Sequence, residues 1–208
     1  VLADFDGTSG LSRKGINVPL VYTTAYACYA LKCTLAPQIP NNHASLSPFK
    51  VSAPVNCILN AVHPAPVAVR QVLGQFLPDV VLGALHKMLP DTVSAEGSSA
   101  LWNVQRGAYP IEGAEPAEAE VLRSSQILMF NSGGTGARPT LDGLSATAFP
   151  SGVHTMSTEV TEHVGPITIW RKELREGSGG AGRQRGGPGW NRVCFDHQHF
   201  LASFHRRK

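Results

Sequence analysis

Between Asn131 and Phe149 the chain reads NSGGTGARPTLDGLSATAF. Three glycines, Gly133, Gly134 and Gly136, fall within four positions, and an Asp-Gly pair follows at Asp142–Gly143. Glycine is required where φ is positive or where another group must come close to the main chain. An ordinary connecting loop does not ask for that several times over. The flanking blocks must therefore hold an unusual backbone arrangement in place. Arg138 and Asp142 set opposite charges beside it.

A second glycine-rich stretch, GSGGAGRQRGGPG at Gly177–Gly189, contains Arg183 and Arg185. It lacks the Gly-Lys-Ser/Thr ending and the helix start of a phosphate loop. One short RGG-like copy is weak ground for RNA binding. The stretch reads as a structural loop, with an anion or substrate contact through either arginine as the functional alternative.

The 208 residues can bury a sizeable core. A hydrophobic share of 42% against 16% charged describes a globular chain. The net charge of +3 is too mild to imply a nucleic-acid partner. Cys28, Cys33, Cys57 and Cys194 form no CxxC pair, and three stand in apolar runs. Free, buried thiols in a reducing, cytoplasmic compartment fit that pattern. The longest apolar run, Pro19 to Ala36, is interrupted by Thr23, Thr24 and Lys32, so no membrane span is expected. Val1 opens inside strand-like sequence and the chain stops just after another apolar patch, which suggests a piece of something longer.

The expected elements are a short strand and turn over 1–10, then a polar connection to Asn17. A helix follows from Pro19 to about Leu35, apolar nearly all round. Strand sequence at Phe49–Leu59 is broken at Pro54, and prolines stiffen Asn60–Pro66. Val69, Val72, Leu73, Phe76, Leu77, Val80, Val81, Ala84, Leu85 and Met88 recur at helical spacing, with Gln71, Gln75, Asp79 and Lys87 on the other side. Pro78 must kink or divide that segment. Asp91–Tyr109 reads as looser, 112–120 as acidic and exposed. Strands are expected at Ser125–Phe130 and Ile167–Trp170. This order gives an α+β fold, a mixed sheet with buried helices.

Few residues assemble into chemistry. DFDGT at Asp4–Thr8 resembles the nucleophile motif of haloacid-dehalogenase phosphatases, but no later carboxylate pair follows to hold magnesium; a strand end and Asp-Gly turn explains it. His197 and His199 alternate, with His205 beyond, and lack a clear third metal ligand. Asn60, His63 and Arg70 stand on a rigid turn and at a helix entrance, where they could present a small anionic or amide-bearing ligand to helix N–H groups. Ordinary capping is the alternative. No Gly-x-Ser-x-Gly elbow occurs. The residues alone describe a scaffold with polar loops.

Taken in order, several segments resemble the hydantoinase B family. They are DFDGTSG…GINVPL at Asp4–Leu20, YACYALKC at Tyr26–Cys33, IPNN at Ile39–Asn42, CILNAVHPAPVAVR at Cys57–Arg70 and LPDVVLGAL at Leu77–Leu85. AEGSSALWN at Ala95–Asn103, GGTGARPTLDGLSATAFPSG at Gly133–Gly152, EVTE at Glu159–Glu162 and WRKELREGSGGAGRQRGGPG at Trp170–Gly189 complete the set. The paired GGTGARP…DG and SGGAGR.RGG signatures are the most specific. The resemblance implies one partial hydantoinase B-like domain over 1–208, with a core block at 1–110, a glycine-loop block at 121–192 and a poorly matching tail at 193–208. The family's His- and Asp-rich metal-binding motif has no counterpart here.

The resemblance further implies the B component of an ATP-dependent hydantoinase or oxoprolinase, a hetero-oligomer whose partner is a hydantoinase A-like subunit and whose substrate is a small cyclic amide. ATP and a divalent metal would belong to the full complex, with no cofactor bound by this chain alone. Gly133, Gly134, Gly136 and Arg138 would bind an anionic group, with Asp142 orienting Arg138 and with Asn60, His63 and Arg70 as weaker substrate contacts. The alternatives are a subunit of an acetone/acetophenone-type carboxylase, and a non-catalytic assembly module for the A component.

Overall fold

The computed structural model describes residues 1–99, 101–107, 115–116, 126–147, 149–153, 155–164 and 167–196, with backbone alone for 101–107, 126–127 and 190–196. His197, His199, His205 and most of the acidic 112–120 segment lie outside the described residues.

The first half is built around one helix. β1 (Leu2–Asp4) pairs in parallel with β2 (Lys50–Ser52), Ala3 opposite Val51. Between them runs α1 (Leu20–Leu35), entered through Pro19, whose carbonyl accepts from the amides of Tyr22 and Thr23. Ala27, Ala30 and Leu31 of α1 meet Val81, Leu82 and Val93 in the main core. Val18, Cys57, Leu59 and Leu77 form a second cluster. Two buried polar side chains fix the connections. Asn17 donates to the carbonyls of Ser12, Lys14 and Pro66 and accepts from the amide of Ser12. The Thr23 hydroxyl donates to the carbonyl of Leu59 at 2.7 Å.

α1 is not buried all round. Val21, Ala25, Tyr29 and Cys33, four residues apart, are exposed, because β2 and the helical segments within 71–86 cover only its other side. Cys33 is thus an exposed thiol; Cys28 and Cys57 are buried and free. Strand structure in Phe49–Leu59 shrinks to β2 and an isolated bridge between Gly10 and Cys57. A one-turn helix, α2 (His43–Leu46), is capped by Asn42 through the amide of Ser45.

The helical pattern at 69–88 divides into α3 (Gln71–Gly74) and α4 (Leu77–His86). Pro78 sits in the first turn of α4, where its missing N–H costs nothing, so it starts a helix instead of kinking one. The break at Gln75–Phe76 interrupts the apolar row. Leu77, Val81 and Leu82 go inside, Val80 is 57% exposed, and Gln75, expected on the wet side, is buried.

The second half is strand and loop. β3 (Leu101–Gly107), within the stretch expected to be loose, pairs antiparallel with β4 (Gln126–Ser132). α5 (Thr158–Val164) leads to β5 (Ile167–Leu174), which pairs antiparallel with β6 (Trp190–Asp196), its register shifting between Ile169 and Arg171. Met129 of β4 packs with Ile167 and Ile169 of β5. The Glu162 carboxylate accepts from the amide of Ile169 at 2.7 Å, tying α5 to β5. The described strands thus form three two-stranded sheets, one parallel and two antiparallel, in an α+β fold.

Candidate functional site

β4 ends at Ser132 and the chain enters the glycine cluster, running between two other loop segments. On one side lies 95–98: the Ala95 amide donates to the Ala137 carbonyl (2.8 Å) and the Ser98 amide to that of Gly134 (3.0 Å). On the other side lie 143–146 and 185–189. The Thr135 amide donates to the Leu144 carbonyl (2.9 Å), the Gly187 amide to that of Thr135 (3.0 Å) and the Gly143 amide to that of Arg185 (2.7 Å). The Leu144 amide donates back to the Thr135 hydroxyl at 2.7 Å.

The glycines are there for close approach. A Cβ on Gly134 would overlap the Gly187 carbonyl, one on Gly136 the Ala95 carbonyl, and one on Gly187 the Leu144 carbonyl. None of these has a left-handed φ; among the described residues the glycines that do are Gly7, Gly152 and Gly177. Both glycine-rich stretches are halves of one joint in which main chain lies directly on main chain.

Arg138 and Asp142 brace this joint. The guanidinium donates from Nε and Nη2 to the main-chain carbonyl of Asp142, at 2.9 and 2.8 Å. The Asp142 carboxylate accepts the Arg185 amide at 2.7 Å. Asp142 therefore orients Arg138 through its carbonyl, and its carboxylate joins the second glycine loop to the first.

The joint forms one wall of a cleft of about 810 Å³, bounded by Glu96–Ser98, Asn131–Ala137 and the loop from Arg175 to Gly189. Gly133, Gly134 and Gly136 line it; Arg138 and Asp142 do not, nor do Arg183 and Arg185. Its lining is chiefly glycine and other small residues, with Glu96 and Arg175 as the charged members. Arg175 is held at the cleft by its own amide, which donates to the Gly189 carbonyl at 2.8 Å.

Asp79, expected on the wet face of a helix, stands behind this wall. Its carboxylate accepts the Ser99 hydroxyl and the Gly97 amide. Burial, and then the nearby Glu96 carboxylate, push its pKa from the ordinary 3.8 up to about 6, against the opposing pull of the Gly97 amide. Ser99, buried, takes a left-handed φ of 49°. The sequence signal for this contact was slight: an aspartate in the first turn of α4 and a small-residue run about twenty positions on.

Asn60, His63 and Arg70 are not gathered with the cleft. Buried Asn60 donates to the Ala53 carbonyl at 2.8 Å and closes the turn after β2. His63 is exposed. Arg70 caps the four-residue α3 and lies 6.0 Å from the centroid of the Tyr22 ring, which is stacked on Tyr26. In DFDGT the Asp4 carboxylate accepts the Ser52 hydroxyl (2.7 Å) and the Asp6 amide (3.2 Å), and Gly7 makes the turn at φ 78°. These are structural bonds of a strand end. Among the described residues no group of three or more His, Cys, Asp or Glu is placed to hold a metal ion, so they do not fit the divalent metal that the family resemblance implies. Among the same residues no helix is long and apolar enough to cross a membrane.

An α+β chain whose two glycine loops close a main-chain-walled cleft is the class that these features define. The chain belongs to the hydantoinase B/oxoprolinase family, whose model matches residues 1–208. A protein of Pseudomonas sp. (strain NS671), provisionally named as the B component of a D-/L-hydantoinase, is 29% identical over 196 residues, which cover 89% of this chain and 31% of that protein. The crystal structure of the ATP-dependent caprolactamase from Pseudomonas jessenii superposes with a TM-score of 0.70 at 25% identity, covering 91% of this chain and 33% of that one. The nucleotide-free structure of an acetone carboxylase shares the fold, with a TM-score of 0.68 at 19% identity over 96% of this chain and 26% of that one. The chain spans about a third or less of the curated relatives that it matches first.

Proposed function

We propose that this chain supplies a substrate-holding wall in the B component of an ATP-dependent cyclic-amide hydrolase of the hydantoinase/oxoprolinase type. The observation that carries this reading is the cleft itself. Its walls are built mostly of glycine, alanine and other small residues, with one carboxylate and one guanidinium among the lining residues. A small cyclic amide presents N–H donors and carbonyl acceptors on a compact ring, which a cleft of small residues with a few polar groups can hold. Gly133, Gly134 and Gly136 let the walls meet, Arg138 and Asp142 hold them, and Glu96 and Arg175 are the charged residues of the lining.

In this reading a hydantoinase A-like partner phosphorylates the ring carbonyl with ATP. Phosphorylation makes the carbonyl carbon easier to attack and creates an anionic oxygen that Arg175 can meet with a charge-assisted hydrogen bond. Water adds to that carbon, the ring C–N bond breaks with the nitrogen taking a proton, and a second water splits the resulting acyl phosphate into carboxylate and inorganic phosphate. ATP and the metal would be held outside the residues described above.

The test uses the chain assembled with its A-like partner. ATP-dependent turnover of a hydantoin is expected; product only from a ketone with bicarbonate would replace the hydrolase by a carboxylase. Arg138→Ala is expected to lower turnover while the complex still forms. A complex that fails to assemble, with no separate catalytic defect, would favour an assembly role.

A further inference from the structure

We propose that a second cavity, on the opposite block of the chain, binds a small organic monocarboxylate with an apolar body. It measures about 820 Å³, within the range of small-molecule sites, and lies between α1, the turn that follows it, α2 and the start of β2. It shares no lining residue with the glycine cleft, so it stands independently of the hydrolase reading.

Its charges are of one sign. Lys32 and Lys50 line it, with the His43 ring beside them, and no aspartate or glutamate does. Lys32 is only 5% exposed. Its ammonium donates to the carbonyls of Ala36 and Ile39, which close the turn after α1. An ammonium has three donors, and these neutral acceptors take two. The C-terminal end of the α1 dipole offsets part of the charge. Among the described residues no carboxylate forms an ion pair with it. A buried cation without a counter-charge is costly, and an anion entering the cavity would supply one.

The remaining wall selects among anions. Tyr29, Ile39, Leu46 and Phe49 give the cavity apolar surface that a bare phosphate would leave unused. One buried ammonium balances a monoanion, whereas a dianion would leave a buried negative charge. Lys50, on the exposed rim, would draw the anion in.

Benzoate, benzamide and inorganic phosphate are the probes, titrated into the purified protein by calorimetry. Benzoate is expected to bind once per chain, and benzamide and phosphate at least about tenfold more weakly. Lys32→Met is expected to weaken benzoate by about tenfold or more, and Lys50→Ala by about threefold or less. Cys33 lines the same cavity and is exposed, so bound benzoate should slow its alkylation by iodoacetamide in the unaltered protein. Equal binding of phosphate or benzamide, an undiminished benzoate affinity in folded Lys32→Met, or an unchanged Cys33 rate would each overturn the proposal. If Lys32→Met does not fold, the Cys33 rate decides.

Discussion

The two halves of the molecule are held together by opposite means. Around α1 the contacts are between side chains: Ala27, Ala30 and Leu31 fill space against Val81, Leu82 and Val93. Around the glycine joint the contacts are between peptide groups, which meet only because no side chain intervenes. In the first region stability depends on atoms being present, in the second on atoms being absent. A helical core can yield by rotamer changes when a methyl is added. Stacked carbonyls and amides cannot, which suits a surface that must present fixed hydrogen-bonding groups to a ligand.

The contrast can be broken from either side. The largest effect is expected from Gly134→Ala, whose added methyl meets a peptide carbonyl that cannot swing away. A loss of about 4 kcal/mol, above the usual overpacking range, is expected in urea unfolding. A change below about 1 kcal/mol would show that the joint can open. Leu31→Ala removes a side chain only 2% exposed and should cost about 3 kcal/mol through the cavity it leaves. An Ala that lowers stability at Leu31 and at Gly134 alike, for opposite physical reasons, is the signature of the two regimes.

Asp79 lies where the halves touch, and its effect is read as a slope. Its folded pKa of about 6 exceeds the ordinary 3.8, so the folded chain holds the proton more tightly than the unfolded chain. The stabilisation is complete below about pH 4 and is lost as pH rises towards 6. Asp79→Asn should flatten that part of the stability–pH curve relative to the parent. Parallel curves would mean that Asp79 is solvated and does not hold the 96–99 wall. The smallest effect is at Gly83, inside α4 with open space where a Cβ would go. Gly83→Ala should stabilise by about 0.5–1 kcal/mol, the reverse of Gly134→Ala in the same assay.

This difference in cohesion also explains what could be read ahead of the structure. α1 and a helical 69–88 follow from apolar spacing, with Pro78 signalling an interruption that could be a kink or a division, because side-chain packing leaves a periodic trace. The need for glycine at 133, 134 and 136 was visible too, but not its cause: positive φ and close approach give the same residue. The partner segments 95–98 and 185–189 meet the cluster through backbone hydrogen bonds, which no side-chain pattern encodes. Asp142 illustrates the limit. Its pairing with Arg138 was anticipated from charge, yet the bond runs through its carbonyl and its carboxylate serves Arg185. β3, β6, α2 and α5 are short or sit in polar sequence, where periodicity has little to work on. Asp79 was misplaced because the break at Gln75–Phe76 disrupts the single helical row that its position was read from.

Turnover of a hydantoin by the assembled complex, compared between the parent and Arg175→Met, bears most directly on the cleft as a substrate site. Arg175 is one of the two charged residues lining the cleft, while its place in the fold is set by its amide, which methionine keeps. The expected result is a fall in kcat of about tenfold or more, with unfolding and assembly unchanged. Full turnover by Arg175→Met would contradict the assignment of the cleft.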